Sequence, residues 1–485
     1  MIIDSKGMKE IESSSSFSSQ QLMEMVGKGM AEKIMHAYPT DTKIAILVGK
    51  GNNGGDGYTL TKYLEGYHFD ILLCDGKPTS KEAIEASTYV DSKRIHNYNS
   101  KYIDKADLII DAVYGFSYHG ELKPEVRKIF RYINQSHKTV WSIDINSGAE
   151  SDSGHYDRDT IHSDITWAIE CYKPFHVGAK EHQLFHQVKL INLNLKHTVI
   201  SKYHEMNEEI FFSHFPKKPE NAYKGTYGKT LLVGGGYGTA GALSLNIIGA
   251  KTVGAPYINV ALPDEIYTIV ASHHITPVFH PFGHETWEKT TEPLIHEAKA
   301  IAFGSGATKL SRKSEVMDKI LQESTSPVVL DAEALRLLVH NTWILRFVKC
   351  PIIITPHLGE FAAITGKTIE VIRERPIEYV TSFARQHKIY VVLKGSNTIV
   401  ASPSGDVYIN QTGNQALAQA GSGDLLTGIM AGILTLTTDV FTATVMAVWL
   451  HGYLSDYGMK YYSKQNFPIE KYPELMNEIF KKRGF

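Results

Sequence analysis

The sequence predicts an α/β protein with two domains, and three observations support that fold class. The chain has 485 residues, which is more than one hydrophobic core usually holds. Short apolar runs alternate with longer amphipathic stretches in both halves, as in buried strands joined by crossover helices. A segment rich in proline and lysine interrupts this alternation near the middle of the chain, so we expect the domain boundary there.

The apolar runs of the first half are the candidate strands of a doubly wound parallel sheet. A helix is expected before them, because "SSFSSQQLMEMVGKGMAEKIM" starts with serines that can cap a helix and continues with apolar residues at mixed three- and four-residue spacing. Ligands of such sheets bind at the carboxyl ends of the strands. In chain order the runs read "TKIAILVG", "FDILLC", "ADLIIDAVYG", "TVWSIDIN", "DITWAIE" and "VKLINLNL".

Similar runs return after the interruption, so the second half is also predicted to be α/β. No fixed-period repeat relates the halves, and we therefore expect two different domains. We predict a first domain over residues 1–205, a linker over 206–225 and a second domain over 226–485. The second set of runs includes "KTLLVGGG", "PYINVAL", "AIAFGSGA", "PVVLDAEAL", "PIIITPHLGEF", "IYVVLKGSNTIVASP" and "DVYIN".

Composition and charge narrow the classes of partner. The chain has 50 lysine and arginine residues and 52 aspartate and glutamate residues, so its formal net charge is −2. It therefore lacks the excess of positive charge that is typical of proteins that bind nucleic acid or an anionic membrane. The three cysteines are scattered and have no metal-ligand spacing, as expected in a reducing cytoplasm. No leader and no apolar run long enough for a bilayer span is recognisable. We expect a soluble cytoplasmic protein with a small-molecule partner.

Polar residues in the first half cluster where three predicted strands end. Asparagine, aspartate and glycine are common turn residues, so any one of these loops could be only a turn. Three such loops at one sheet edge favour a shared site, because a parallel sheet brings its carboxyl ends together. Their oxygens suit a hard cation or the hydroxyls of a polar substrate. The residues are Asn52, Asn53, Asp56, Asp111, Asp144 and Ser147.

The motifs "GKGNNGGDGY", "DAVYGFSYHGEL" and "SIDINSG" occur in the order and spacing of a known family. Residues 1–205 resemble the epimerase domain of the NAD(P)H-hydrate repair enzymes. The resemblance implies that Asp144 is the acid/base residue and that Asn53, Asp111 and Ser147 hold a potassium ion. It also implies contacts of the hydrated nucleotide with Asp144 and with Asn52, Asn53, Gly54, Gly55, Asp56, Gly115, Phe116, Ser117, Tyr118, His119, Gly120 and Glu121.

Two positions bear on how well the first half matches that family. Asn146 stands where the family usually has proline before the serine. Lys173, in "CYKPF", lies near the position of the family's lysine. These differences concern the shape of the loop and the rate more than the type of reaction.

The second half carries its chemistry in "AGSGDLLTG". Glycines before an apolar helical run place free N–H groups at a helix N-terminus, where an anion is stabilised. Asp424 is in the first turn of that helix. It could simply stabilise the helix, or it could accept the proton of an attacking hydroxyl in phosphoryl transfer.

Five motifs in conserved order make this half similar to the ATP- or ADP-dependent dehydratases of NAD(P)H hydrates, which have a ribokinase-like fold. They are "GGGYGTAGALSL", "FGSGATK", "TPHLGEF", "LKGSNTIV" and "AGSGDLLTG". The resemblance implies that Ala242, Gly306, His357 and Asp424 contact the hydrate, with Asp424 catalytic. The nucleotide would contact Lys394, Gly395, Ser396, Asn397, Thr398 and Gly423. The approach to the last motif departs from the family at Gln415, Ala416, Leu417, Gln419 and Ala420, and Ser305 replaces a usual proline.

Together the resemblances imply two three-layer α/β/α domains, Rossmann-like in the N-terminal half and ribokinase-like in the C-terminal half. The first would interconvert R and S hydrates of NADH or NADPH, and the second would dehydrate the S form. K⁺ is expected in the epimerase domain, with Mg²⁺ and with ADP or ATP as co-substrate. Partners would be the hydrates NADHX and NADPHX and an adenine nucleotide, without nucleic acid or membrane, in a homo-oligomer. The alternative is a small-alcohol kinase, of thiazole or pyridoxine type, with a non-catalytic N-terminal binding module.

Overall fold

The computed structural model describes residues 1–178, 182–223 and 225–485. The chain divides into two compact units, the first formed by Met1–Tyr203 with Arg373–Ile377 and the second by His204–Ile372 with Glu378–Phe485. A helix, Glu208–His214, lies within the predicted linker, and its Phe211 is fully buried. Lys224, also in that predicted linker, lies outside the described residues.

The first unit contains a seven-stranded parallel sheet in the order β3-β2-β1-β4-β5-β6-β7. The order reverses between β1 and β4, which is the place where doubly wound folds bind ligands. The strands are β1 (Lys43–Val48), β2 (His68–Leu73), β3 (Ile95–Asn97), β4 (Leu108–Ala112), β5 (Thr139–Ile143), β6 (Ser163–Ile169) and β7 (Phe185–Ile191).

Both faces of this sheet are covered. Ile46 of β1 packs into one apolar cluster and Leu47 into another on the opposite face, which gives three layers. The α-helices are Ser5–Ser14, Ser19–Ala37, Asn52–Leu60, Lys81–Ser87, Ser100–Lys105, Pro124–Gln135 and Pro174–Val177.

The second sheet has the order β11-β10-β9-β12-β13-β14-β15-β16-β17-β8 among the described residues. Pairing is parallel from β11 to β15 and antiparallel from β15 through β17. The strands are β8 (Tyr203–His204), β9 (Lys229–Val233), β10 (Ile258–Pro263), β11 (Val278–Phe282), β12 (Ala298–Phe303), β13 (Val328–Leu330), β14 (Ile352–Ile354), β15 (Tyr390–Leu393), β16 (Ile399–Ala401) and β17 (Val407–Ile409).

Two helices of the second unit approach each other closely enough to exclude side chains. A Cβ atom at Gly428 would lie 2.0 Å from the carbonyl oxygen of Asn246, and one at Gly249 would lie 2.3 Å from that of Leu425. The α-helices that lie wholly or mostly in this unit are, in the order of the chain, Glu208–His214, Ala240–Thr252, Asp264–His273, Trp287–Glu297, Lys313–Glu323, Glu333–Leu338, Leu358–Thr365, Ile369–Glu374, Pro376–His387, Ser422–Leu436, Val440–Gly458 and Tyr472–Arg483.

The α/β class predicted from the sequence is confirmed in both halves. Three strands were not predicted: β8, which has only two residues, and β3 and β11, whose residues are mostly exposed or half-buried and give no apolar run. None of the helices in the described ranges is both long and apolar enough to cross a membrane.

Candidate active sites

A cavity of about 450 Å³ opens in the first unit where β1, β4 and β5 end. Its wall combines predicted substrate contacts with apolar side chains of the N-terminal helices, such as Met8 and Leu22. A cavity of this size, lined by apolar side chains and a few polar groups, suits a small-molecule ligand. The predicted substrate contacts in its lining are Asn52, Asn53, Asp56, Gly115, Phe116, Ser117, Tyr118 and Asp144.

Asp144 is held at the end of β5 in an uncommon backbone conformation. Its φ is +66°, a value in the left-handed region that costs a non-glycine residue about 1–3 kcal/mol and persists only where neighbouring contacts hold it. Its Oδ1 accepts a hydrogen bond from Lys173 Nζ at 2.7 Å, and its Oδ2 accepts one from the N–H of Phe116 at 2.8 Å. The carboxylate is thus fixed between an ammonium group and a loop amide.

His176 supports this arrangement from the buried side. Its Nε2 lies 2.6 Å from the carbonyl oxygen of Asp144, and its Nδ1 accepts the backbone N–H of Lys173 at 2.9 Å. Lys173 is itself fully buried, and its Nζ also donates to the carbonyl of Ile169. The position of Lys173 near the family's lysine is a sequence signal, whereas that of His176 gave none.

Asp111 and Ser147, two of the predicted potassium ligands, are in direct contact. Ser147 Oγ donates to Asp111 Oδ1 at 2.6 Å, and the Ser147 N–H and Ser142 Oγ donate to Oδ2. Burial raises the pKa of Asp111, and these hydrogen bonds offset only part of the effect. No ion pair to Asp111 is found in the part of the chain that the structure describes.

Asn53 lies in the cavity wall rather than behind it. Its amide nitrogen is buried and has no hydrogen-bond partner among the described residues. Its Oδ1 and Asp144 Oδ2 both approach Gly115 closely, since a Cβ atom there would lie 3.1 and 3.2 Å from them. Asn53 and Asp144 therefore lie side by side next to Gly115 in the cavity wall.

Other predicted substrate residues lie outside this wall. Gly54 and Gly55 are buried where their helix packs, with a Cβ at Gly54 2.2 Å from the Gly49 carbonyl and one at Gly55 2.4 Å from the Met23 side chain. His119, Gly120 and Glu121 are exposed residues that follow Tyr118.

The substitution at Asn146 has a structural explanation. This side chain is fully buried and its Nδ2 donates to the carbonyls of Ile161 and Leu184. Its Oδ1 accepts from Thr166 Oγ1. A buried network thus fixes the loop where the family's proline would restrict it through its ring.

Two carboxylates besides Asp144 face the first cavity. Asp56 belongs to the predicted set, and Glu12, from the helix Ser5–Ser14, does not. Burial, with the charges of Asp144 and Glu12, raises the pKa of Asp56 well above its usual value. Sequence reasoning missed Glu12 because it lies in a short polar helix about 40 residues before the first binding loop.

In the second unit, Asp424 lies in the first turn of the helix Ser422–Leu436. Asn246 Nδ2 donates to the Asp424 carbonyl at 2.6 Å and to Ser305 Oγ at 3.1 Å. Burial, and then the charge of Asp331, raises the pKa of Asp424 to about 6. The Ser305 hydroxyl, at a position where the family usually has proline, contacts this carboxylate.

Asp331, at the end of β13, forms an ion pair with Lys394, and its charge acts on the Asp424 carboxylate. Lys394 Nζ donates to Asp331 Oδ1 at 2.9 Å. Thr355 Oγ1 donates to the same oxygen, and Thr427 Oγ1 donates to Oδ2. Burial opposes ionisation, but the Lys394 ammonium and these hydroxyls hold the pKa of Asp331 below its usual value. The strand-end rule that identified Asp111 could have found Asp331.

The remaining predicted residues gather around the same carboxyl ends. His357 pairs with Lys394 in a parallel bridge and caps the helix Leu358–Thr365 through Nδ1, which accepts the Glu360 N–H. A Cβ at Gly423 would lie 3.3 Å from Lys394 Nζ.

Gly306 and Ala242 are also neighbours, because a Cβ at Gly306 would lie 3.1 Å from that of Ala242. The loop from Lys394 to Thr398 continues from β15 towards β16, where Thr398 Oγ1 donates to the Gly395 carbonyl. Asn397 Nδ2 donates to the Asn410 carbonyl, and Ser396 lies between them in this loop.

The unusual approach to the last motif is also ordered by specific contacts. Gln415, Ala416 and Leu417 form a 3₁₀ turn capped by Asn414. Gln419 Nε2 donates to the carbonyls of Ala416 and Phe467, which ties the loop down before Ala420 and the glycines.

Comparison with known proteins identifies the family. The family model described as NAD(P)H-hydrate dehydratase matches residues 230–469, and the one described as YjeF-related protein N-terminus matches residues 19–175. The bifunctional NAD(P)H-hydrate repair enzyme of Archaeoglobus fulgidus is 30% identical over 441 residues, which are 90% of this chain and 88% of the relative. The chain belongs to the family of bifunctional NAD(P)H-hydrate repair enzymes. A member from Moorella thermoacetica is 28% identical over 90% of this chain.

Solved structures support the same assignment for the second half. The crystal structure of the ADP/ATP-dependent NAD(P)H-hydrate dehydratase of Bacillus subtilis, co-crystallised with ATP/Mg²⁺, matches with a TM-score of 0.52 and 29% identity. It covers 57% of this repair-family chain and 97% of the crystallised one. A ribokinase-like superfamily protein from Enterococcus faecalis matches with a TM-score of 0.52 at 21% identity, a likeness of fold. The ribokinase-like fold expected of the second half is confirmed.

Proposed function

We propose that this protein repairs hydrated NADH and NADPH with two activities in one chain. The N-terminal domain, residues 1–205, interconverts the R and S hydrates. The C-terminal domain, residues 226–485, uses ADP or ATP to convert the S hydrate to the reduced nicotinamide. The observation that carries the proposal is that each half has a hydrogen-bonded carboxylate, the buried Asp144 or the half-buried Asp424, among the residues expected to bind its substrate.

In the first half, Asp144 acts as the acid/base residue. Lys173 and the Phe116 N–H hold its two oxygens, so the carboxylate keeps one orientation towards the cavity. Asn53 in the cavity wall contacts the hydrate, and the apolar side chains of the wall exclude water from the ring.

The potassium site of the same half fits its residues. Asp111 is a buried carboxylate that lacks a basic partner in the described ranges, and Ser147 and Asn53 add hydroxyl and amide oxygens. Such donors suit a hard cation. A bound K⁺ would neutralise Asp111 and stiffen the loops after β1, β4 and β5.

In the second half, the oxygen of the substrate hydroxyl attacks the terminal phosphorus of the nucleotide, and Asp424 accepts the proton of that hydroxyl. The bond from that phosphorus to its leaving oxygen breaks, and the phosphorylated hydrate then loses inorganic phosphate. Loss of a proton from the neighbouring ring carbon restores the double bond. Lys394 and the N–H groups near Gly423 bind phosphate, and Mg²⁺ would neutralise the nucleotide's charge.

The small-alcohol kinase alternative is not favoured, because the family model for the second half is that of a dehydratase and the family is bifunctional. A homo-oligomer and a cytoplasmic location complete the proposal. The location is supported by three isolated cysteines, all buried.

The test mixes purified protein with the R,S hydrate mixture, Mg²⁺ and each nucleotide, and follows the absorbance of reduced nicotinamide. Complete recovery is expected. Recovery that stops at the S fraction would rule out the epimerase activity, and accumulation of a stable phosphoalcohol would rule out the dehydratase activity.

A further inference from the structure

The helix Ser5–Ser14 carries a carboxylate into the first cavity from the side of the N-terminus. The helix is fixed in place by its buried residues Gly7, Met8 and Ile11 and by the cap from Asp4 to the Gly7 N–H. Glu12 follows Ile11 and lines the cavity together with Asp144 and Lys173. Its position is therefore set by packing, not by a mobile tail.

Glu12 and Asp144 occupy contrasting environments in this cavity. Asp144 accepts hydrogen bonds from an ammonium and an amide, one at each carboxylate oxygen. The Glu12 carboxyl has neither a hydrogen bond nor an ion pair among the residues that the structure describes. Two carboxyl groups in contrasting surroundings are the usual arrangement of an acid and a base in one site.

We infer that Glu12 is a second catalytic residue of the epimerase, the acid that gives a proton to the substrate's hydroxyl group while Asp144 serves as the base. The inference rests on the proposed epimerase activity and adds a residue to it. It accounts for a carboxyl group that faces the substrate cavity without a structural partner.

In the hydrate the hydroxyl is on the ring carbon bonded to nitrogen. Glu12 gives its proton to that hydroxyl, the carbon–oxygen bond breaks with its electron pair on the departing water, and the nitrogen lone pair forms a carbon–nitrogen double bond. Water then adds to the opposite face of the carbon, the double-bond pair returns to nitrogen, and Asp144 takes the water's proton. Proton transfer from Asp144 to Glu12 restores the starting state.

The surroundings of Glu12 keep a substantial fraction of it protonated at neutral pH. Burial, and then the charge of Asp144, raises the pKa of Glu12 to about 7. Lys173 across the cavity and Lys9 on the same helix oppose that rise, and Asp56 also faces the group. Tyr114 and Tyr118 complete the titratable groups of the described wall. Because Glu12 must be protonated to act as the acid, we expect epimerisation to slow as the pH rises through about 7.

The test compares Glu12→Gln with Glu10→Gln, the same change at an exposed position of the same helix. Pure R hydrate is incubated without nucleotide, and S hydrate is measured by chromatography. Glu12→Gln is expected to lower kcat about 100-fold or more and to abolish the decline above pH 7, while Glu10→Gln matches the parent protein. Dehydration of S hydrate with nucleotide, measured on the same samples, should be unchanged.

Glu12→Asp distinguishes loss of the carboxyl group from a folding defect. It keeps a carboxyl group, so it should retain part of the epimerisation rate together with the decline at high pH. Wild-type rates in Glu12→Gln, or an unchanged pH profile, would overturn the inference. If the parent protein itself forms no S hydrate, the proposed epimerase fails instead.

Discussion

The Nε2 atom of His176 lies 2.6 Å from the carbonyl oxygen of Asp144 and donates a hydrogen bond to it. The other ring nitrogen accepts the Lys173 N–H, so the donor proton is on Nε2. Burial, and then the Lys173 ammonium, lowers the pKa of His176 to about 3, and the ring stays neutral at any working pH. One side chain therefore holds the backbones of both Asp144, the proposed acid/base residue, and Lys173.

His176 should act as a positioning residue for Asp144, and two substitutions separate its contacts. Gln at position 176 can place a donor near the Nε2 position, whereas Asn reaches only as far as Nδ1. We expect His176→Asn to lower the kcat of epimerisation about 10- to 100-fold with little change in KM, because Asp144 loses its anchor. His176→Gln should recover most of that rate.

The measurement is steady-state epimerisation of R hydrate, with thermal unfolding recorded for both variants. An unsatisfied Asp144 carbonyl costs about 1–3 kcal/mol, so some loss of stability is expected in the Asn variant. Equal kcat values in the Gln and Asn variants would contradict a positioning role for the Nε2 contact.

Lys173 neutralises Asp144 in a fully buried position, so its removal should affect both stability and rate. Lys173→Met keeps the length of the side chain but leaves the carboxylate without its partner. We expect the free energy of unfolding to fall by about 3–5 kcal/mol and epimerisation to fall at least about 100-fold. Chemical denaturation and the R-hydrate assay measure the two effects.

The double variant Asp144→Asn with Lys173→Met distinguishes charge from packing. Removing both charges should restore much of the lost stability, because the loss arises from an unpaired buried carboxylate. Epimerisation should stay absent. Additive destabilisation in the double variant would show that the lysine acts through packing alone.

The dehydratase should lose activity at acid pH. In its proposed role Asp424 must be deprotonated to accept the hydroxyl proton. Its pKa is raised to about 6, so kcat should fall as the pH decreases through about 6. The epimerase should show the opposite trend, since its proposed acid stays protonated at low pH. Separate pH profiles with S hydrate plus nucleotide and with R hydrate alone test this contrast.

Asp331 supplies the charge that, after burial, raises the pKa of Asp424. Asp331→Asn should therefore move the acid decline of dehydration to lower pH, by up to about one pH unit. The KM for nucleotide should rise about tenfold, because Lys394 loses its anchor. Asp318→Asn, at an exposed position, is the control. An unshifted pH profile in Asp331→Asn would contradict the coupling of these carboxylates.

Much of this architecture was predictable because buried parallel strands are continuous apolar runs and their carboxyl ends meet. That logic brought Asn53, Asp111 and Asp144 to one sheet edge. The strands β3 and β11 could not be predicted from apolar runs, since their residues are mostly not buried.

Residues that approach a site from elsewhere could not be predicted in this way. Glu12 comes from a helix that precedes the sheet, and His176 acts through a backbone carbonyl, a contact that leaves no motif. The Asn146 network depends on Ile161, Thr166 and Leu184, which only the folded chain brings together.

Close packing of two helices fixes Asp424, and a single methyl group should disturb it. A Cβ at Gly428 would lie 2.0 Å from the Asn246 backbone oxygen, an atom that cannot move without its helix. Separation of the helices would also break the hydrogen bond from Asn246 Nδ2 to the Asp424 carbonyl.

We expect Gly428→Ala to lower the free energy of unfolding by about 3 kcal/mol and to impair dehydration while epimerisation persists. Gly241→Ala, a helical position with open space around it, should change stability by less than about 1 kcal/mol. Equal responses of the two variants in chemical denaturation would mean that the helices tolerate a wider spacing, and that the contact between Asn246 and Asp424 does not depend on glycine at position 428.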